Sequence, residues 1–563
     1  MDAEARQLIA LDVSQLTEAP TGPTHTEAPA GPARVSANAG SRSLIRNALL
    51  SYVSTGVNMA TGLFTTPILL SRLGSDHFGT WALMGSVAAY TGLIEIGLGT
   101  ALAKRVAEHE ATDDRASVSR VLGTALTMYL FVAVGVLVIS SVIALLVDRI
   151  FHIPKADIPT ARLCLLVLGA NQAMVFLFTV QNALLYGAGR LDLLTMAGVV
   201  INVATAVLNI AAVMMGFGIV TLSGIVLFSS LLMGITTRQI IRRRFPGTEI
   251  SSRHFSFSTA KQLLQFGSRN AVIYLFAALG LGSDAVVIGI FLPVTAVANY
   301  AVASKLTALM RTLATKPIDV TMPSVAHASA MGDHKRLFQI QTQATLLSLA
   351  VALPMAIAVS VFADRVIAFW VGMGHEAASS VLVALSLTTV FLLPGNVSLS
   401  LMTGTERNGF LVKVALITAP LNLLLSVLFT HWLMRPVGVA LGSMVTVMVA
   451  DFLVMPFYTC RQFGFSVRRY VAEGFGPLLL PALAAAAAAV GLRYATPHAG
   501  KYWLPPILVT IALVFVAALV LSIGSDRRRD YMVSLRVALQ KRTAGWSGKK
   551  DDWREPSVAA PAQ

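Results

Sequence analysis

Residues 120–147 read RVLGTALTMYLFVAVGVLVISSVIALLV, with no charge between Arg120 and the Asp148-Arg149 pair that closes the run. As a helix such a run is longer than the ~30 Å of hydrocarbon in a bilayer. It lacks the strict alternation of a barrel strand, so a helix that satisfies its own backbone is the form in which it crosses lipid. Similar runs recur from Leu44 to Ile523, separated by short polar breaks. The expected spans are 44–70, 80–102, 120–147, 161–186, 192–215, 218–238, 268–292, 295–322, 341–363, 379–402, 411–433, 437–459, 473–494 and 503–524. Composition agrees: 55% of residues are hydrophobic and 13% charged, and mean hydropathy is +0.71, whereas about a quarter of a soluble domain is charged. The expected fold class is all-α, a polytopic membrane protein of about 14 transmembrane helices.

The formal charge of +15 raises the question of a nucleic-acid partner, and its distribution answers it. With both termini in the cytoplasm, the tails and inner loops hold about 32 of the 43 Lys and Arg and the outer loops about 8, as the positive-inside rule requires. Clusters such as Arg242, Arg243, Arg244, Arg253 and Lys261, or Arg527, Arg528 and Arg529, then face the anionic membrane surface. No nucleic-acid partner is expected. Cys164 and Cys460 lie in or at the end of spans and give no disulfide framework.

The first 43 residues, rich in Ala, Pro and Thr, read as a disordered cytoplasmic tail. A first group of six spans covers 44–240, a basic cytoplasmic linker 241–267, a second group 268–460, two further spans 473–525 and a basic tail 526–563. The two groups repeat one another in the same orientation. Arg46-Asn47-Ala48 matches Arg269-Asn270-Ala271, Asp113 and Arg115 match Asp333 and Lys335, and Asp148-Arg149 matches Asp364-Arg365. Gly187-x-x-Arg190 likewise matches Gly404-x-x-Arg407, and Asn202 matches Asn422. Duplication is a common construction in transporters.

Polar residues inside the spans mark candidate sites. Asn47, Ser51, Ser54, Asn58, Thr61 and Thr65 form one stripe on the first span, where small polar residues serve either a cavity or helix packing. Asn270 and Asp284 keep the same spacing in the seventh, and Asp284 is costly at depth. In the eighth, Ser304, Lys305, Arg311, Thr312, Thr315, Lys316 and Asp319 share one face, opposite Val302, Leu306, Leu309, Met310, Leu313, Ala314 and Val320. Three cations against one carboxylate suit an anionic ligand such as a phosphate or pyrophosphate. The alternative is that Lys305 and Lys316 snorkel to opposite surfaces, which Arg311 at mid-span does not allow. Glu95 reads as a proton carrier, an ion ligand or a partner for one of these cations, and Asp451 in the twelfth span as an interhelical hydrogen-bonding group. His109, His254, His327 and His334 make no metal-ligand pair, and the Gly-rich stretches lack a P-loop lysine. No metal, cofactor or catalytic residue is expected.

Phe78-Gly79-Thr80-Trp81-Ala82-Leu83, then Tyr90, Leu93-Ile94-Glu95-Ile96-Gly97-Leu98-Gly99 and Arg105-Val106-Ala107-Glu108 resemble the signature of bacterial O-antigen and exopolysaccharide flippases. These belong to the multidrug/oligosaccharidyl-lipid/polysaccharide exporter superfamily, whose members often carry Asp where this chain has Glu95. The resemblance implies two six-helix lobes in a V, with alternating access to a cationic cavity. It also implies a secondary transporter in the inner membrane that moves a polyprenyl-diphosphate-linked oligosaccharide and serves polysaccharide polymerase machinery. Lys305, Arg311, Lys316, Asn47, Asn58 and Asn270 would then bind substrate. Glu95, Asp284 and Asp319 would couple or gate, driven by an ion gradient or the membrane potential. In the similar lipid II flippases two extra C-terminal helices form a lipid-tail groove, a part that spans 13 and 14 and the Ala484–Ala489 run would play unless they serve plain packing. A multidrug exporter and a membrane enzyme of polysaccharide assembly are the competing readings; the basic eighth span opposes the first and the lack of a large outer loop the second.

Overall fold

A computed structural model of the chain describes residues 37–92, 98–110, 112, 114–265, 282–319, 321–405, 407, 409–497 and 503–522, with side chains from residue 50 onward except Thr100 and Pro323. Glu95, Asn270, Asp113 and the side chain of Asn47 therefore lie outside the described residues, as do 1–36 and 523–563, whereas residues 37–43, expected to be disordered, form the start of a helix. The residues from Leu50 onward form one compact unit.

The described residues are helical, with no strand among them. In chain order the helices are α1 (Ala37–Thr91), α2 (Leu98–Glu110), α3 (Arg115–Ile150), α4 (Ile158–Gly187), α5 (Leu191–Met214), α6 (Ile219–Arg244), α7 (Asp284–Phe291), α8 (Val294–Asp319) and α9 (Met322–Ala330). They continue with α10 (His334–Val371), α11 (Glu376–Gly404), α12 (Gly409–Leu433), α13 (Val437–Val447), α14 (Met455–Phe463), α15 (Val467–Gly474), α16 (Gly476–Ala495) and α17 (Leu504–Ser522). Among the described residues, 10 helical segments are long and apolar enough to cross a membrane. The other expected spans have particular reasons for falling outside that set. Span 80–102 crosses the undescribed 93–97, and span 268–292 falls largely on the undescribed 266–281. Span 44–70 is the first part of α1, which continues through Gly74, where φ of 77° breaks the helix at a glycine. Span 295–322 is α8, whose three cations lower its hydropathy.

Three of the five landmarks that repeat in the sequence recur in matching local geometry, and the Arg269-Asn270-Ala271 landmark lies outside the described residues. Asp114 caps α3 by accepting from the Ser117 N–H at 3.0 Å, and Asp333 caps α10 by accepting from the Arg336 N–H at 2.9 Å. The hydrogen bonds from Ser117 hold the Asp114 carboxyl below its ordinary pKa. The partner of Asp333 is thus Asp114 and not Asp113, a one-residue correction that only cap geometry supplies. Both Gly-x-x-Arg turns close alike, with Arg190 N–H donating to Leu185 O at 2.8 Å and Arg407 N–H to Met402 O at 2.9 Å. Asp148 accepts from Arg162, which also reaches Leu145 O; Asp364 accepts from Arg493, which also reaches Val361 O. In the second case the arginine comes from α16, which lies outside the repeat. Asn202 and Asn422 do not match in environment: Asn202 is exposed, whereas Asn422 is buried and donates to Ser443 Oγ at 3.1 Å.

Helices α2–α6 pack on one another, as do α7–α14, and α16 and α17 pair and lean on α10. The two groups share a buried apolar core at one end of the bundle. It joins Leu69, Phe78, Leu83 and Val87 of α1 to Val287, Val294, Val297 and Ala298 of α7 and α8, together with residues beside the loops near 151, 217, 373 and 436. Close approach there depends on two glycines. A Cβ on Gly79 would run into the carbonyl of Val294, and one on Gly289 would come within 2.7 Å of Leu83. Proline adds a polar link: Pro67 has no N–H, so the carbonyl of Leu63 is left free within α1, and the Trp370 indole of α10 donates to it at 2.8 Å.

Toward the opposite end, which carries the arginine-rich loops, the buried clusters belong to one group or the other. Leu98 to Leu263 form one, and Met310 to Phe515 another. Among the described residues no buried apolar cluster joins the groups there, so the packed junction that makes the other end the closed end has no counterpart among them. Ala485 and Ala489 are buried in the core between α10, α16 and α17, so packing accounts for that part of the alanine run.

Candidate functional site

Helix α8 runs from the closed end toward the basic end and carries the basic face. Val302, Ala303, Met310, Ala314 and Ile318 are buried on one side, while Lys305 and Arg311 are exposed. Leu313, expected on the apolar side, is 43% exposed. Lys305 and Arg311 form no hydrogen bond or ion pair with a described residue. Six residues separate them, about 9 Å along the axis. Lys316 is engaged: its Nζ lies 3.2 Å from Asp319 Oδ2 and 5.1 Å from the ring centroid of Tyr52 on α1. That cation–π contact is the link between α1 and α8 at the basic end, worth about 0.5–1 kcal/mol where exposed.

Lys305 opens onto a cavity of about 700 Å³ between α1, α7 and α8, whose wall includes Trp81, Tyr90, Asp284, Tyr300 and Ser304. Asp284 lies at its base, buried, and accepts a hydrogen bond from Tyr300 Oη. Ser443 is a further side-chain hydrogen-bond neighbour, and it also receives Asn422. Oδ1 of Asp284 and Oδ1 of Asn422 are both buried without a hydrogen-bond partner among the described residues, an arrangement that usually has a functional or solvent explanation. The site thus places a carboxylate at the floor, aromatic rings on the wall and a lysine at the rim, with Arg311 farther along the same helix.

The polar stripe of α1 is only partly available. Thr65 donates to Thr61 O at 2.6 Å, within its own helix. Asn58 is exposed and Ser54 half-buried. Asp451 departs from expectation. It lies in a π-helical segment, Met448–Val454, pressed on Gly395 just after Pro394, and makes no hydrogen bond with a described residue. The extra residue of a π turn re-aims the side chain toward the space that glycine leaves. Among the described residues no group of three His, Cys, Asp or Glu side chains could hold a metal. Sequence reasoning used Trp81 and Tyr90 only as signature residues and passed over Tyr300 and Ser443. A tyrosine and a serine within apolar runs carry no periodic signal; Tyr300, sixteen residues from Asp284, becomes its partner only through the α7–α8 fold.

Comparison with known proteins places these features. The uncharacterized membrane protein EpsK of Bacillus subtilis (strain 168) is 21% identical over 424 residues, 74% of this chain and 83% of that protein. A lipid II flippase, MurJ, in its inward closed conformation superposes with a TM-score of 0.66 at 16% identity, covering 86% of this chain and 99% of that one. An inward-facing multidrug resistance transporter of the MATE family superposes with a TM-score of 0.58 at 18% identity, covering 75% and 98%. The chain therefore has the fold of these transporters. The family model described as polysaccharide biosynthesis protein matches residues 69–380, which take in the Phe78–Glu108 signature and all of α7 and α8. More than half of the sequence carries that match, and the chain belongs to the polysaccharide biosynthesis protein family.

Proposed function

We infer that this chain is a flippase that moves a polyprenyl-diphosphate-linked oligosaccharide from the cytoplasmic to the periplasmic leaflet by alternating access, for surface polysaccharide biosynthesis. The observation that carries the reading is the pair Lys305 and Arg311, exposed on one face of a membrane helix with no carboxylate among the described residues paired to either. A cation in a span costs about 2.5–3.5 kcal/mol on insertion scales. A diphosphate entering between the groups offsets that cost, and a guanidinium holds two of its oxygens at once. Lys316 adds charge at the entrance when its contacts with Asp319 and Tyr52 open, and Asn47, Asn58 and Asn270 add neutral contacts. Membership of the polysaccharide family and the fold of a lipid II flippase support a lipid-linked cargo. A polysaccharide polymerase is the natural recipient of the flipped product.

The basic end is the cytoplasmic end in this reading, with both termini there and the chain in a bacterial cytoplasmic membrane. Cysteine substitutions between Arg242 and Lys261 are expected to resist an impermeant thiol reagent in intact spheroplasts and to react in inverted vesicles. Reaction from the periplasmic side would overturn the topology.

Glu95, Asp284 and Asp319 supply coupling or gating, with an ion gradient or the membrane potential as the source of work. In a null strain, lipid-linked oligosaccharide is expected to accumulate in the inner leaflet. Wild type restores surface polymer, while Glu95→Gln/Asp284→Asn restores less than about a tenth, since a lost buried charge interaction costs 1.4 kcal/mol or more. A null strain with normal surface polymer would remove the proposed function; full restoration by the double variant would remove only the coupling role. One observation favours a multidrug exporter instead, namely Asp284 among Trp81, Tyr90 and Tyr300 in the cavity, a setting suited to an organic cation. Lys305 at the rim opposes it.

A further inference from the structure

The basic linker after α6 is built into the fold. Arg115 at the start of α3 donates to Pro246 O. Glu249 N–H donates to Ser119 Oγ at 3.1 Å, and Ser256 N–H to Thr124 Oγ1 at 3.0 Å. Gly123 leaves no room for a side chain, because a Cβ there would meet the carbonyl of Ser251 and come 2.9 Å from His254 Cβ. Residues 245–256 are therefore held on the first turns of α3 by hydrogen bonds from both directions and by one close backbone approach.

That docking encloses two adjoining clefts at the basic end. The larger, about 650 Å³, is lined by Arg115, Ser119, Arg120, Glu249, Arg253 and His254 among others. The smaller, about 280 Å³, adds Arg105, His109 and Ser117, and the two share Arg120 and Ser256. The charges do not cancel. Glu249 is taken by His254 at 3.3 Å, Asp114 by its cap on Ser117, and Arg105 by Glu108 at 3.2 Å. Arg120 and Arg253 line the larger cleft, and neither side chain forms a hydrogen bond or ion pair with a described residue, though Arg120 is near enough to Asp114 to help hold its carboxyl low. Ser119 and Ser256 both accept backbone N–H groups, so each hydroxyl still has its proton to donate.

We propose that this cleft is a phosphate-recognition site on the cytoplasmic side, separate from the central cavity, in which Arg120 and Arg253 clamp a phosphomonoester or diphosphate group and Ser119 and Ser256 donate to its oxygens. Two guanidinium groups and two hydroxyl donors around a small volume match a compact dianion. The volume, about 650 Å³, is that of a headgroup or small metabolite. The same chemistry is offered by an anionic lipid headgroup of the inner leaflet and by a soluble phosphate compound. Its cytoplasmic placement rests on the topology proposed above, but the site does not depend on the flipped cargo, since none of its residues lies on α7 or α8.

The experiment uses the full chain in neutral detergent at fixed ionic strength and follows thermal stability. One arm titrates inorganic pyrophosphate; the other titrates phosphatidic acid, a phosphomonoester lipid, against phosphatidylcholine micelles. Each is run on wild type, Arg120→Gln/Arg253→Gln, Arg120→Lys/Arg253→Lys, and Lys305→Gln/Arg311→Gln. The expected result is a saturable stabilisation whose half-saturating concentration rises at least about tenfold in the Gln pair, the loss of one or two charge-assisted hydrogen bonds. The Lys pair, keeping charge but losing the fork, falls between; the Lys305/Arg311 pair removes whatever pyrophosphate binds in the central cavity and leaves the component that Arg120 and Arg253 control. Sensitivity in the pyrophosphate arm assigns a soluble ligand, and sensitivity confined to the phosphatidic acid arm assigns a headgroup. If neither ligand stabilises the wild type saturably, or the Gln pair responds as wild type in both arms, the site does not exist.

Discussion

Arg311→Ala is expected to lower the rate at which labelled lipid-linked oligosaccharide appears at the outer leaflet by about 100-fold or more. Two charge-assisted hydrogen bonds from one guanidinium are together worth about 3 kcal/mol, and every 1.36 kcal/mol is tenfold in rate. No carboxylate among the described residues shares Arg311, so removing it leaves no orphaned anion in the fold, and the loss falls on the ligand. Arg311→Lys keeps the charge and loses the fork, and is expected to retain a fraction of the rate. Lys316→Ala is milder, because Lys316 already spends its charge on Asp319 and Tyr52. Lys305→Ala falls between, since Lys305 lines the cavity above Asp284 but offers a single ammonium. Size profiles in detergent check folding; a well-folded Arg311→Ala protein that flips at the wild-type rate would show that the phosphates bind elsewhere.

Gly79→Val is expected to cut transport by at least about tenfold through the opposite end of the molecule. Its Cβ would occupy the position of the Val294 carbonyl, and backbone cannot yield as a side-chain tip does, so α1 and α8 must move apart. Overpacking of this kind costs about 1–3 kcal/mol, charged here to the closed state alone. The conformational balance shifts away from closure at that end, by up to about 100-fold at 3 kcal/mol. Spin labels at Asp76 and Met373 should report a longer distance in the variant. Gly62→Ala is the control: nothing lies within 4 Å of its Cβ, and alanine suits a helix interior better than glycine. An unchanged distance and normal transport in Gly79→Val would mean that the Gly79–Val294 contact plays no part in the cycle.

How much of this was legible in the sequence differs by level. The apolar runs announce their helices because length and hydropathy are properties of the run itself, and α8 announced its basic face because 3.6-residue periodicity is local. The end at which the groups meet was not legible. Gly79, Leu83 and Gly289 are small or apolar residues in apolar runs, and they become a junction only when α1 meets α7 and α8. The Trp370–Leu63 bond is of the same kind, since Pro67 predicts a free carbonyl but not who accepts the offer. At the site, Asp284 stood out because charge at depth is costly, whereas Tyr300 and Ser443 did not. The slip from Asp114 to Asp113 has a physical cause as well: a constant offset aligns residues by number, while a helix start is fixed by the side chain that reaches its free N–H groups. The linker read as a charged inner loop, and its docking on Gly123 depended on a contact more than a hundred residues away in sequence.

In the proposed function the two groups of helices pass a lipid-linked diphosphate between leaflets. The most direct measurement uses proteoliposomes containing the purified chain and a fluorescent polyprenyl-diphosphate oligosaccharide, with an impermeant glycan-cleaving enzyme outside. The cleavable fraction is expected to rise from about half to nearly all of the label in wild-type vesicles and to stay near half in empty vesicles and with Arg311→Ala, as alternating access through the basic cavity requires. A cleavable fraction that stays near half with folded, correctly inserted wild-type protein, under an imposed ion gradient and membrane potential as well as without them, would contradict it.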